Sequence, residues 1–161
     1  MSPIDASAGA NTVYLGLGSN LGDRRAQLRA AIDELIQGGV RVIAVSSLYD
    51  TQPVGFAEQG RFLNAVVKGS TRLGPRQLLE LVKGIEQQLG RQPRFRNGPR
   101  ELDIDLLSYD ALRLNEPGLE LPHPRLAERP FVQIPLAELD GRELAPSPDV
   151  RLIEPPSWAS F

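Results

Sequence analysis

Residues 96–107 read RNGPRELDIDLL. From Leu102 to Leu106 apolar and acidic positions alternate, the period-2 signature of a strand with one buried face. In that conformation Asp103 and Asp105 project to the same side, roughly 6.6 Å apart along the strand. Leu102, Ile104 and Leu106 then turn the other way, into a core. Asp is poorly suited to strands, so two in one short strand ask for a physical reason. Side by side, ionised carboxylates repel; a hard divalent cation relieves the repulsion, and Mg²⁺ usually brings phosphate with it. Arg91, Arg94, Arg96 and Arg100 lie just upstream. Their fork-shaped, permanent charges suit phosphate oxygens. Gly98-Pro99 sets a turn immediately before Arg100, which brings that residue close to the acids. The stretch predicts metal–nucleotide chemistry, with Arg91 and Arg100 as the favoured phosphate contacts.

Working outward, the same strand closes a larger pattern. Residues 13–18 (VYLGLG) form a short apolar run, a buried strand. Leu28, Ala31, Ile32, Leu35 and Ile36 recur at helical spacing over 23–37, and Gly38-Gly39 stops that helix. Residues 40–49 are rich in Val and Ile and predict one strand; 50–60 predict a loop; 61–70 predict another strand. Pro75 opens a helix over 75–89, with Glu86 in its last turn and Gly90 as its cap. An acid there opposes the helix dipole, which predicts an Arg partner or a ligand contact. The order is β-α-β-β-α-β, the split plan of a ferredoxin-like α+β fold, with helices on one face of a mainly antiparallel sheet. Beyond 110 the chain predicts an irregular, Pro-rich extension with one short strand near 131–136. The loops at 50–60 and 90–101 exceed ordinary connections, and such loops tend to be functional.

A net charge of −2 argues against coating nucleic acid through bulk charge. There is no cysteine, hence no disulfide and no thiolate ligand or nucleophile, compatible with a reducing cytoplasm. No stretch is apolar for long enough to span a membrane. Residues 1–12 lack the basic start and apolar middle of a signal peptide and predict a disordered leader, leaving one domain over 13–161.

Residues 16–24, GLGSNLGDR, are neither G-x-G-x-x-G nor a P-loop. They predict a strand-to-helix turn with Ser19 and Asn20 near the cap. His123, the one histidine, stands between Pro122 and Pro124, which restrict its backbone on both sides. Phe62, Asn64 and Phe131 suit either a core or a pocket. Facing rings would sandwich a flat heterocycle, with Asn64 reading its amide-like edge.

Together these residues resemble the 6-hydroxymethyl-7,8-dihydropterin pyrophosphokinase family of the folate pathway. The resemblance is carried by YLGLGSNLGDR (14–24), SSLYDTQPVG (46–55), FLNAVV (62–67), IEQQLGR (85–91), GPRELDIDLL (98–107) and LPHPRLAERPFVQIPLAEL (121–139). It implies the same fold and transfer of pyrophosphate from ATP to the pterin hydroxymethyl group, leaving AMP. It implies two Mg²⁺ ions on Asp103 and Asp105, and Arg91 and Arg100 beside them as catalytic groups. Glu86, Arg91, Arg94, Arg100, Leu106, His123 and Arg129 would surround ATP; Thr51, Val54, Gly55, Phe62, Asn64 and Phe131 would form the pterin pocket. It further implies a cytoplasmic monomer with no nucleic-acid or membrane partner. Asn97 and Pro124 stand where one well-known member of the family has aromatic residues. Against this stand a single-strand RNA-binding module of the same strand order, which needs exposed sheet aromatics and a basic face, and a non-catalytic ferredoxin-like domain.

Overall fold

The computed structural model describes residues 10–19, 23–51, 62–89, 102–126, 129–142 and 150–159. Strand β1 (Asn11–Ser19) leads to helix α1 (Arg24–Gly38), β2 (Val40–Val45), β3 (Leu48–Thr51), β4 (Phe62–Thr71), α2 (Pro75–Gln88) and β5 (Asp103–Tyr109). A hairpin follows, β6 (Leu114–Glu116) and β7 (Leu119–Leu121), then α3 (Pro130–Leu139), β8 (Val150–Glu154) and a 3₁₀ turn at Pro156–Ala159. The sheet order is β5-β1-β4-β3-β8, with β2 also paired to β4. Every pairing within it is antiparallel. The split βαβ arrangement is therefore present, with β1 between β5 and β4. β1 begins at Asn11, two residues inside the span expected to be a leader; residues 1–9 lie outside the described residues.

Local chemistry sets the helix ends. Asp23, not Ser19 or Asn20, caps α1: its carboxylate accepts from the Ala26 N–H at 3.1 Å. Gly39 ends α1 at φ 114°, a conformation that favours glycine. Gln77 reaches back to accept from the Gly74 N–H at 2.8 Å, and Pro75 takes the first helical position of α2. Leu89 caps α2, and Gly90 lies outside the described residues. Ile36 is 43% exposed, so the inner stripe of α1 is Leu28, Ala31, Ile32 and Leu35.

α1 and α2 bury one sheet face, where Val13, Leu15, Leu17, Leu63, Ala65 and Val67 meet Leu28, Leu35, Leu78 and Val82. The other face carries a second apolar cluster, Val66 and Leu107 under Val132 of α3. Three expectations change. Residues 131–136 belong to a helix, not a strand: Pro130 sits where its missing N–H costs nothing, and Val132 and Ala137 pack inward despite Pro135 inside the helix. The extension also contains β6–β7, closed by Pro117-Gly118 with Gly118 at φ 76°, and β8, which joins the sheet beside β3. Finally, residues 40–49 are not one strand. β2 stops at Val45, and β3 runs on through Asp50 and Thr51, which the sequence alone places in the loop.

The interruption has a clear cause. The Ser46 N–H still donates to the Val66 carbonyl at 2.9 Å, but Val66 N–H donates to the Ser46 hydroxyl instead of its carbonyl, also at 2.9 Å. The freed Ser46 carbonyl accepts from the Trp158 indole N–H at 2.8 Å. A side chain thus replaces a backbone acceptor in the ladder, and the chain turns away for two residues.

Candidate active site

β5 is an edge strand, and its register across β1 builds the site. Gly18 lies opposite Asp103 on one side and Asn64 on the other; Gly16 lies opposite Asp105 and Val66. Because side chains alternate, Asp103, Asp105, Gly16, Gly18, Asn64 and Val66 share the face beneath α3. Strand spacing puts Asp103 and Asn64 about 10 Å apart across the sheet. Between Asp103 and Asn64 lies buried Gly18, and between Asp105 and Val66 lies Gly16, where a Cβ would stand 3.6 Å from the Leu107 side chain; the two glycines form a narrow floor. The floor is tight at one point: a Cβ on Gly18 would stand 2.7 Å from Asn64 Oδ1 and 3.5 Å from the Phe62 ring.

On the outer side of β5 a cavity of about 480 Å³ is lined by Glu86, Asp103, Asp105, Leu106 and His123, with Lys83 and the β6–β7 hairpin closing it. Glu86 is buried, and its carboxylate accepts from the Ile104 N–H at 2.8 Å. An edge-strand backbone group is thus one partner of this acid. The His123 N–H donates to the Leu107 carbonyl at 2.8 Å, fastening the chain after the hairpin to the same edge. His123 Nδ1 accepts from the Arg125 N–H at 3.2 Å, so in the neutral ring Nε2 carries the proton. Burial, then the charges of Arg129 and Arg125, push its pKa below the usual histidine value, against Asp103 and Glu120.

Arg129, at the start of α3, lies 3.7 Å from Asp105 Oδ2 and stacks 5.5 Å from the centre of the Phe131 ring. One guanidinium therefore links the acid pair to an aromatic wall. Across the floor, Thr51 pairs with Phe62 and Tyr49 with Asn64, and the Asn64 amide donates to the Thr51 hydroxyl.

Of the residues expected from sequence, Glu86, Asp103, Asp105, Leu106 and His123 meet in one cavity, with Arg129 touching Asp105. Thr51, Phe62, Asn64 and Phe131 lie on the α3 side of the sheet, on β3, β4 and α3. Val54, Gly55, Arg91, Arg94, Arg96, Asn97 and Arg100 lie outside the described residues. Sequence reasoning missed Lys83 and the hairpin acids Glu116 and Glu120 as lining residues. Lys83 is three residues before Glu86, one turn away on the same helix face, a signal present in the sequence. It also missed Glu138 of α3. That carboxylate accepts from the Ser47 N–H (3.0 Å), the Ser47 hydroxyl (2.7 Å) and the Tyr49 hydroxyl (2.6 Å). Burial and this bond raise the Tyr49 pKa well above its ordinary value.

The family model for 7,8-dihydro-6-hydroxymethylpterin-pyrophosphokinase (HPPK) matches residues 14–141, from β1 to the end of α3. The chain belongs to this family. It is 47% identical to the 2-amino-4-hydroxy-6-hydroxymethyldihydropteridine pyrophosphokinase of Bacillus subtilis, covering 80% of this chain and 78% of that enzyme. The Aquifex aeolicus protein of the same name is 42% identical over 84% of each. A mitochondrial folate synthesis bifunctional protein of Arabidopsis thaliana is 44% identical over 86% of this chain, which spans only 25% of that longer protein. Among solved structures, the Plasmodium falciparum HPPK-DHPS with pteroate superimposes with a TM-score of 0.61 at 15% identity, over 80% of this chain and 38% of that one. That likeness shows the fold alone.

The donor set bears on the metal that the sequence leads one to expect. Among the described residues no group of three acidic, histidine or cysteine side chains could cage an ion. Two carboxylates on one strand face suit Mg²⁺ that keeps waters and takes its remaining oxygens from phosphates. The RNA-binding reading loses its surface: α3 covers part of the sheet face such a module leaves open, and acids occupy it. No helix among the described residues is long and apolar enough to cross a membrane.

Proposed function

We propose that the chain transfers the pyrophosphoryl group of ATP to the hydroxymethyl oxygen of 6-hydroxymethyl-7,8-dihydropterin, releasing AMP. The observation that carries this reading is the shared floor. The acid pair and the Asn64–Thr51 pair lie on the same face of the sheet, with Gly16 and Gly18 on the strand between them.

In this reading the triphosphate lies along the outer edge of β5. Asp103 and Asp105 would hold two Mg²⁺ ions, which neutralise phosphate charge when bound. Backbone groups alternate in direction along an antiparallel strand, so the N–H and C=O of Leu106 face outward like the Ile104 N–H. They supply a donor and an acceptor to the nucleotide, and Glu86 fixes the edge beside them. Neutral His123 offers its Nε2–H to a phosphate oxygen. Arg129 balances charge near Asp105, with Arg91 and Arg100, and Arg94 beside them, as further phosphate donors. The pterin stacks against Phe62 and Phe131, its amide-like edge read by Asn64 and Thr51, with Val54 and Gly55 completing the pocket.

The bond from the hydroxymethyl oxygen to the β-phosphorus forms as the bond from that phosphorus to the α-bridging oxygen breaks. The electron pair leaves on AMP, and the hydroxyl proton passes to solvent. No side chain is assigned as a dedicated base. The rate comes from holding the two reactants in line and from charge stabilisation. The protein would act as a cytoplasmic monomer. The test is AMP release with hydroxymethyldihydropterin as acceptor; no acceptor-dependent AMP overturns the reading. Calorimetry with a non-hydrolysable ATP analogue should give heat that depends on Mg²⁺.

A further inference from the structure

The break between β2 and β3 gathers parts that are distant in the chain. Ser46 holds Trp158 through its carbonyl, and Ser47 and Tyr49 donate to Glu138, 91 and 89 residues further on. We propose that Glu138 is a positioning residue for the acceptor pocket: its carboxylate sets the α3 wall, with Phe131, against the β3 wall, with Tyr49 and Thr51. The inference rests on the pyrophosphokinase reading above.

Phe131 and Glu138 are seven residues apart on α3. Seven residues turn about 700°, so the two side chains lie within about 20° of each other, roughly 10 Å apart along the axis. Whatever fixes Glu138 against the sheet therefore fixes where Phe131 stands. Packing of Val132 on Val66 and Leu107 sets the height of the helix above the sheet. Apolar contact is not directional, however, and by itself leaves α3 able to slide. The three donors on Glu138 are directional and charge-assisted, which makes them strong.

The opposite wall is tied to the same carboxylate. Tyr49 lies opposite Asn64 in the ladder, and Thr51, two residues on and facing the same way, receives the Asn64 amide. A shift at Glu138 thus moves the aromatic wall and the polar wall relative to each other. The carboxylate itself touches no reacting atom. The Tyr14 hydroxyl bond to Asp140 at 3.2 Å is a second tie on α3, but an exposed one.

The experiment measures KM for pterin and for ATP, kcat and melting temperature in Glu138→Ala, Glu138→Gln and Tyr49→Phe. Small misplacements at a reacting centre cost as much as about 100-fold. Glu138→Ala should raise the pterin KM by roughly 10-fold or more, with the ATP KM within about twofold. Glu138→Gln should recover part of this, because its amide oxygen accepts while its NH₂ cannot. Tyr49→Phe should give a smaller rise in the same direction. Trp158, the chain's one tryptophan, reports the break by its emission, which should shift in Glu138→Ala and return towards wild type in Glu138→Gln. Should Glu138→Ala fail to fold, the other two variants carry the test. A lower melting temperature with an unmoved pterin KM overturns the inference, as do equal rises in both KM values. A wild-type chain that releases no AMP instead overturns the function itself.

Discussion

In the proposed site, the outer edge of β5 and the β3–β4 half of the sheet would contribute by opposite means. At the β5 edge the groups are ionisable and held by backbone, buried Glu86 on the Ile104 N–H and His123 on the Leu107 carbonyl, with Asp103 and Asp105 partly exposed beside them. In the β3–β4 half they are uncharged and packed, with Asn64 and Thr51 buried and bonded to each other. A triphosphate needs charge that water and Mg²⁺ can reach. A flat heterocycle needs a dry slot and an edge to read. The strand between the halves, with Gly18 opposite both Asp103 and Asn64, keeps the acid pair two strands away from Asn64. Losses in the two halves should therefore separate by substrate.

The most severe way to break that separation is at the acids. Asp103→Ala and Asp105→Ala should each lower turnover by on the order of 10²–10³-fold, the scale seen when a charge-stabilising group is removed. Folding should be little affected. Removing one acid also removes its repulsion of the other, and the Arg129 contact to Asp105 is long and partly exposed. Wild-type AMP release from either variant would end the metal assignment. Gly18→Ala is next. Its Cβ would meet Asn64 Oδ1 at 2.7 Å, and Asn64, tied to Thr51, has little room to yield. Overpacking of this kind costs about 1–3 kcal/mol. Pterin affinity should fall about tenfold while nucleotide affinity holds, as read by paired titrations. Loss of ATP binding alone would show that the floor belongs to the nucleotide half.

How much of the fold and the site is legible in the sequence depends on where the causes lie along the chain. The β-α-β-β-α-β core is legible because its causes are local: period-2 runs, helical stripes, Pro75 and Gly39. The Asp103–Asp105 face is legible for the same reason, since alternation alone aims both carboxylates. The β2–β3 break is not, because serine is no strand breaker and the groups that stabilise it, Glu138 and Trp158, lie far along the chain. α3 is hidden by Pro135, which argues against a helix until Val66 and Leu107 supply a surface to pack on. The β6–β7 turn does carry a signal, Pro117-Gly118 between Glu116 and Leu119, which the Pro-rich surroundings obscure. The linking role of Arg129 has no local sign, since it depends on α3 bringing Phe131 beside β5.

That link makes Phe131→Ala the sharper, smaller test. Loss of one stacking ring should weaken pterin binding about three- to tenfold. Its cation contact with Arg129 is also lost, so ATP affinity should drop slightly and no more. Equal losses for both ligands would mean that the ring serves as core and that the two halves are not separable at this wall.

The smallest effect expected is a dependence on pH at the β5 edge. The folded chain holds the His123 pKa below its usual value, through burial first and then Arg129 and Arg125. Above the unfolded value, about 6.5, the ring is neutral in both states and the difference contributes nothing against folding. As pH falls below that value, the unfolded chain takes the proton more readily than the folded one, so stability declines until the folded pKa is passed. His123→Gln cannot take that proton. Its melting temperature relative to wild type should therefore rise as pH is lowered from 7.5 to 5. Bound nucleotide reverses the argument, because phosphate charge favours the protonated ring, so ATP should flatten the wild-type decline. A pH difference that persists unchanged with saturating nucleotide would remove His123 from the phosphate contacts while leaving its burial intact.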